Sequence, residues 1–235
     1  MIIGNGMIAK KFDSYQQSNN TVIFASGISN SQETDFNEFS REKSLLLETL
    51  HAYPTHTFVY FSTCSIFDPS LSDSLYVKHK LIMEDLISSH ANNYHIFRAS
   101  QIIGISDNEH MLANFLFHKI NHSLPFEVWS HSTRNFIDID HLYLISDKII
   151  QSDLYKNQII NIANSYSLTM KEIITLFETV IGKKAICEYI PKGASYAHID
   201  LKPILPILNE LKIEFDNNYY QRVIQKYSPY FLTKA

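Results

Sequence analysis

Met1-Ile2-Ile3-Gly4-Asn5-Gly6-Met7-Ile8-Ala9 opens the chain and decides how the rest is read. A short apolar run meets two glycines one residue apart, and Ile8, Phe12 and Tyr15 then share one helical face. Strand, glycine turn, helix is the setting in which the spacing G-x-G-x-x-G/A has a mechanism. Gly4 permits a tight turn, Gly6 lets a pyrophosphate approach the backbone, and Ala9 keeps helix and strand close. The phosphate would rest on the turn's N–H groups, from Asn5, Gly6, Met7 and Ile8. The plainer reading is an ordinary glycine-bearing turn.

Working outward, strand patterns alternate with helical ones, which points to a parallel sheet in an α/β fold. Apolar periodicity predicts a strand at Val22 and a helix over 35–52, with Phe39, Leu46 and Leu50 on one face and a stop at Pro54. Further strands are expected over 57–63, 95–100, 126–130, 158–163 and 185–190. Helices are expected over 75–88, 111–121, 141–151 and 170–181, with a mostly helical tail from 201. Parallel strands would bring 25–27, 62–63 and 99–101 to one edge of the sheet, the usual ligand crevice.

One of these strands ends in Ser62-Thr63-Cys64-Ser65, and the next helix opens with Tyr76-Val77-Lys78-His79-Lys80. Residues four apart share a helical face, so the Tyr76 hydroxyl and the Lys80 ammonium can converge. A phenol titrates near pH ~10, and a close cation stabilises its anion, so the pair can act as an acid/base near neutrality. Thr63 or Ser62 could hydrogen-bond the same substrate oxygen. This is the chemistry of moving a hydride to or from a carbinol carbon. Tyr-x-x-x-Lys alone is weak among 14 tyrosines. A second match, Tyr230 to Lys234, has no such strand before it and is read as chance.

Composition narrows the class. A chain of 235 residues can bury one substantial core, or one core with a small lobe. The net charge of −4, with both signs interspersed, offers no basic footprint for nucleic acid. Cys64 and Cys187 have no metal-ligand spacing and fit a reducing compartment; Cys64 reads as a small strand residue rather than a nucleophile. The 11 histidines form no two-His-plus-acid pattern, so no metal is expected. No stretch has the ~20 apolar residues a membrane span needs, and the immediate strand leaves no signal peptide. A cytoplasmic protein is expected.

Taken in order, these motifs resemble the extended short-chain dehydrogenase/reductases of the nucleotide-sugar epimerase/dehydratase type. The resemblance rests on Gly4/Gly6/Ala9, Ser62-Thr63-Cys64-Ser65-Ile66-Phe67 and Tyr76/Lys80. It extends to Val22-Ile23-Phe24-Ala25-Ser26-Gly27, Ile96 to Gly104, Thr133-Arg134-Asn135-Phe136-Ile137-Asp138, and Asn161 to Glu172. It therefore covers nearly the whole chain. It implies NAD or NADP as cofactor, a nucleotide-diphosphate sugar as substrate, and a homodimer formed through the helices at 35–52 and 75–88. It implies catalysis by Tyr76, Lys80 and Thr63, with Lys80 lowering the tyrosine pKa and holding the nicotinamide ribose. Cofactor contacts would come from Gly4 to Ile8, Ala25, Ser26, Gly27, Ser62, Tyr76, Lys80 and Ala99. Substrate contacts would come from Thr63, Ser65, Gln101 and Arg134. A guanidinium fork suits a diphosphate; the plainer reading of Arg134 is a surface residue paired with Asp138 or Asp140. Trp129 reads as core.

The chain departs from the family in one respect. A βαβ unit takes about 30 residues, yet Val22 follows Gly6 after only 15, already in the family's fourth-strand signature. The expected fold is thus a Rossmann-like parallel sheet lacking the second and third strands, with a small C-terminal α+β substrate lobe. Residues 1–105 with 135–165 would form the dinucleotide-binding domain, and 106–134 with 166–235 the lobe. No acid stands where the ribose 2′-OH is usually held; Glu33 and Asp35 read as caps of the next helix. In the competing alignment, 21–25 is the second strand, and Ser26, Asn30 and Ser31 tolerate a 2′-phosphate.

The family's dehydratases carry an Asp-Glu pair where Cys64-Ser65 stand, which disfavours dehydration. The expected reaction is 4-epimerisation or 4-ketoreduction, with a slight preference for the epimerase, in surface polysaccharide synthesis such as O-antigen or capsule. The alternative is a catalytically degenerate relative that binds a nucleotide or a partner.

Overall fold

The computed structural model describes residues 1–233; Lys234, and with it the second Tyr-x-x-x-Lys match, lies outside them. The first half runs β1 (Ile2–Ile3), α1 (Met7–Lys11), β2 (Thr21–Phe24), α2 (Phe36–Ala52), β3 (Thr57–Thr63), α3 (Leu75–His90) and β4 (Asn93–Ala99). The second half adds β5 (Gln101–Ile103), α4 (Leu112–Asn121), β6 (Phe126–Trp129), β7 (Thr133–Arg134), β8 (Phe136–Asp138) and α5 (Ile139–Gln151). It closes with β9 (Gln158–Ile162), β10 (Leu168–Thr169), α6 (Met170–Ile181), β11 (Cys187–Ile190), α7 (Leu205–Leu211) and α8 (Tyr219–Thr233).

Five strands form one parallel sheet in the order β1-β2-β3-β4-β9. This order decides between the two alignments. In a doubly wound sheet the second strand lies on the far side of the first from the fourth. Here β2 lies between β1 and β3, the fourth-strand place. Among the described residues the second and third strands are absent and β1 is the outermost strand. With two residues, it offers little edge for unwanted pairing.

The strands are apolar on both faces, as a covered parallel sheet requires. Val22, Phe24, Phe58, Tyr60 and Ile96 meet Leu46 and Leu50 of α2 and Met83 and Ile87 of α3 on one side. Ile23, Val59, Phe61 and Phe97 face Phe12, Leu142, Ile145 and Ile149 on the other. That second layer continues into α4, α6 and α8, so these helices and the sheet share one core.

Boundaries follow local chemistry. Asp35 caps α2 by accepting from Asn37 N at 2.8 Å, as expected, whereas Glu33 accepts from Thr34 N and Asp35 N ahead of the helix and does not cap it. Thr169 and Glu172 form a reciprocal capping box at the start of α6, and Gly182 ends it at φ 75°. The first helix is shorter than its periodicity predicts. It gives way at Phe12 to a 3₁₀ turn over Asp13–Tyr15, which still buries Phe12 and Tyr15 and lets the Tyr15 hydroxyl donate to Asp147 of α5 at 2.6 Å.

The two glycines of the first turn differ in kind. Gly4 has φ +126°, and a Cβ there would stand 2.5 Å from the Ala25 carbonyl oxygen at the end of β2. Gly6 has an ordinary backbone and nothing within 4 Å of where its Cβ would be. Gly4→Ala should therefore lower stability to urea by at least about 1–3 kcal/mol, while Gly6→Ala should leave the midpoint nearly unchanged. Equal effects would show that the close approach of the turn to β2 does not constrain the fold.

Candidate active site

The C-terminal ends of β1 to β4 open on a cleft of about 700 Å³. Of the residues singled out in the sequence, Gly6, Met7, Ile8, Ala25, Gly27, Ser62, Thr63, Ser65, Tyr76, Lys80, Ala99, Gln101 and Arg134 line it. Gly4, Asn5 and Ser26 do not; Gly4 instead holds the turn against β2. Trp129, expected in the core, is half-buried and lines the cleft with Phe115 and Tyr196.

Tyr76 and Lys80 stand four apart at the start of α3, both buried. Thr63 ends β3 beside them. Its Oγ1 accepts from Ser65 N at 2.9 Å, and its hydroxyl hydrogen-bonds the Tyr76 oxygen at the cleft. Ser62 is committed elsewhere. Its hydroxyl donates to Glu84 at 2.5 Å, and Glu84 also takes Nε and Nη2 of Arg98. Cys64 donates to the Arg98 carbonyl, and burial pushes its thiol up to about 12, so it is no nucleophile at neutral pH.

Lys80 has company the sequence reading did not foresee. Its ammonium donates to Tyr60 Oη at 2.9 Å and to Glu42 Oε1 at 3.1 Å, and Glu42 is 0% exposed. Tyr76 itself is pushed up to about 12, by burial first and by the Glu42 charge besides, against the pull of the Thr63 hydroxyl. The expected lowering by Lys80 is thus not what this geometry gives. The signal for Glu42 was available: Phe39, Glu42, Leu46 and Thr49 recur at helical spacing and are all buried, so Glu42 sits on the apolar face of α2.

At the other end, Arg134 pairs with neither Asp138 nor Asp140. Its Nη1 donates to Asp68 Oδ2 at 3.2 Å and to the Thr133 carbonyl at 2.8 Å. Asp138 and Asp140 are taken by Lys226, and Asp140 also by Lys11. Asp68 also accepts from Ser70 N at 2.9 Å, so both its oxygens are engaged. The stretch between Thr63 and Tyr76 holds only two 3₁₀ turns, Cys64–Phe67 and Pro69–Leu71.

The cleft suits a polar ligand that reaches the first turn. Space is open over Gly6, and the leading N–H groups of α1 have no partner within the helix. Ser100 Oγ and Gln101 Oε1 are buried at the cleft wall without hydrogen-bond partners. A dinucleotide with its pyrophosphate at Gly6 and its nicotinamide ribose near Tyr76 and Lys80 fits these groups, and no strand beyond β1 would flank its adenosine.

No protein-family model matches the chain, and no curated protein matches it in sequence. Solved structures share its fold. UDP-glucose 4-epimerase of Thermus thermophilus, solved with NAD, aligns at TM-score 0.69 and 15% identity over 95% of this chain and 81% of that one. RMD from Pseudomonas aeruginosa, solved with NADPH, aligns at TM-score 0.73 and 13% identity over 100% and 98%. A dTDP-4-dehydrorhamnose reductase from Clostridium acetobutylicum aligns at 0.72 and 12% identity over 97% and 98%. At these identities the likeness is one of fold: the Rossmann-like fold of nucleotide-sugar epimerases and reductases.

Burial pushes the Glu42 carboxyl up, yet Lys80, His79, the Ile28 N–H and Tyr60 together hold it at about 2, below its ordinary 4.5. A folded-state value below the unfolded one means that the stability is present above pH 4.5 and lost as the pH falls through about 2. Glu42→Gln should be less stable than wild type at neutral pH. Its urea midpoint should then fall less steeply between about pH 5 and 2. Parallel curves for the two proteins would remove Glu42 from the acid-labile set.

Proposed function

We propose that the chain is an NAD(P)-dependent short-chain dehydrogenase/reductase acting on a nucleotide-diphosphate sugar, as a 4-epimerase or a 4-ketoreductase. The observation that carries this reading is the gathering of Thr63, Tyr76 and Lys80 at one cleft whose other wall is the Gly6 turn. When bound, the nicotinamide would supply or accept the hydride at the sugar C4. Tyr76 would exchange the proton of the C4 oxygen, and Thr63 would donate a hydrogen bond to that oxygen. Lys80 keeps one ammonium donor for the ribose, because two of its three are spent on Glu42 and Tyr60. Arg134, anchored through one nitrogen by Asp68, has further donors for the diphosphate.

On this reading 1–105 with 135–165 hold the dinucleotide and 106–134 with 166–235 the sugar nucleotide. The setting is cytoplasmic surface polysaccharide synthesis. A homodimer would cover the apolar outer positions of α2 and α3, where Phe36, Leu81 and Ile82 are exposed. The second reading, a non-catalytic nucleotide- or partner-binding relative, is favoured by the outermost position of β1, which leaves an adenosine without flanking strands.

Calorimetric titration with NAD, NADH, NADP and NADPH separates the two readings. At least one should bind: retained NAD supports the epimerase, and a preference for NADPH the ketoreductase. If none binds, the binding-module reading takes over. Tyr76→Phe should lower turnover of any accepted sugar nucleotide by about 10²–10⁴-fold without unfolding the protein. Turnover at the wild-type rate would sink the catalytic assignment.

A further inference from the structure

Glu42 lies behind the cleft, on α2, and does not line it. Its carboxylate is fully engaged. Oε1 accepts from the Tyr60 hydroxyl at 2.8 Å and from Lys80 Nζ at 3.1 Å. Oε2 accepts from Ile28 N at 2.8 Å, and His79 Nε2 stands 3.1 Å from it. The backbone closes over this cluster from the cleft side. A Cβ on Gly27 would meet Lys80 Nζ at 2.7 Å and Glu42 Oε1 at 3.0 Å, so only a glycine fits there without a shift. One carboxylate therefore joins α2, β3, α3 and the loop after β2, the four elements that surround Lys80.

We propose that Glu42 is a positioning residue for Lys80: from behind the cleft its carboxylate fixes the ammonium and offsets the charge that Lys80 presents to Tyr76. The inference rests on the reading of Tyr76 and Lys80 as the acid/base pair. Two of the three ammonium donors point at Glu42 and Tyr60, which aims the third. The Lys80 ammonium is 5.8 Å from the Tyr76 ring centre, close enough to favour the phenolate were it alone. It is not alone. In a water-poor pocket the paired carboxylate cancels much of that field. The other titratable groups around the pair are Tyr60 of β3 and His79 of α3. Further along the cleft, Glu84 is answered by Arg98 and Asp68 by Arg134.

The test reads the ionisation of Tyr76 directly and needs neither cofactor nor substrate. Tyrosinate absorbance is followed against pH for each protein and for the same protein carrying Tyr76→Phe; the difference isolates Tyr76 among the 14 tyrosines. Removing the carboxylate charge in Glu42→Gln should lower the Tyr76 midpoint by about one to three pH units. Glu42→Asp keeps the charge and should stay near wild type. A merely structural Glu42 would leave the midpoint in place in both, or move both alike, and either result overturns the proposal. Should Glu42→Gln fail to fold around an unpaired Lys80, the same downward step must appear between Lys80→Met and Lys80→Met/Glu42→Gln. Coinciding midpoints in that pair overturn the proposal equally. If the midpoint moves as expected while Tyr76→Phe keeps its turnover, Glu42 stands as the counter-charge and the catalytic reading alone falls.

Discussion

The contact on which the site depends is the close approach of Gly4 to the Ala25 carbonyl. With no second or third strand, β1 has a single neighbour, β2, held by a short parallel ladder. The Gly4 backbone, at φ +126°, lies so near the end of β2 that no side chain could stand between them. This sets the Gly6 turn level with the ends of β2, β3 and β4. One cleft can then be lined by Gly6 from the first turn, Gly27 after the second strand, Thr63 at the end of the third and Gln101 beyond the fourth. A βα turn tied less closely would leave these groups at different depths.

The buried Glu42–Lys80 pair is a different kind of constraint. Desolvating two charges offsets most of what their attraction returns, so such a pair adds little net stability over a well-packed apolar replacement. Breaking it is another matter, because one charge is then left buried without an answer. Four hydrogen bonds to Glu42 make the arrangement tolerable and also specific. The loop after β2, whose glycine seals the cluster, is thereby coupled to the orientation of Lys80. Shape and charge at the cleft are set by the same carboxylate.

Much of this was legible in the sequence, for identifiable reasons. The parallel sheet was legible because strand patterns alternate with helical ones along the chain, and β2 and most of β3 read as apolar runs. The missing strands were suggested by the few residues between Gly6 and Val22 together with the resemblance of the Val22 strand to the family's fourth, and the strand order settled the competing alignment. The Tyr76/Lys80 pair was legible because helical spacing fixes which residues share a face. Three things were not. Glu42 looks like part of the charged run around α2, and only its register with Phe39 and Leu46 betrays it. The plainer reading of Arg134 offered it Asp138 or Asp140 as a partner, whereas its partner Asp68 comes from a turn 66 positions earlier. Trp129 was assigned to the core on residue type, and which side of a short edge strand meets a cleft is set by packing that no local pattern records.

The charge balance at Tyr76 also bears on the direction of the proposed chemistry. A phenol pushed up to about 12 carries its proton at neutral pH. It can give its proton to a ketone oxygen as that oxygen takes on negative charge, but it must first lose that proton before it can accept one from a carbinol. An epimerase needs both events within one turnover, while a ketoreductase needs only the donation. A bound oxidised nicotinamide, with its positive charge, would pull the phenol down and ease the oxidative half. Its reduced form would not. On the proposed function, a Tyr76 whose lysine is already answered by Glu42 is better matched to reduction, and epimerisation would depend on the cofactor's own charge.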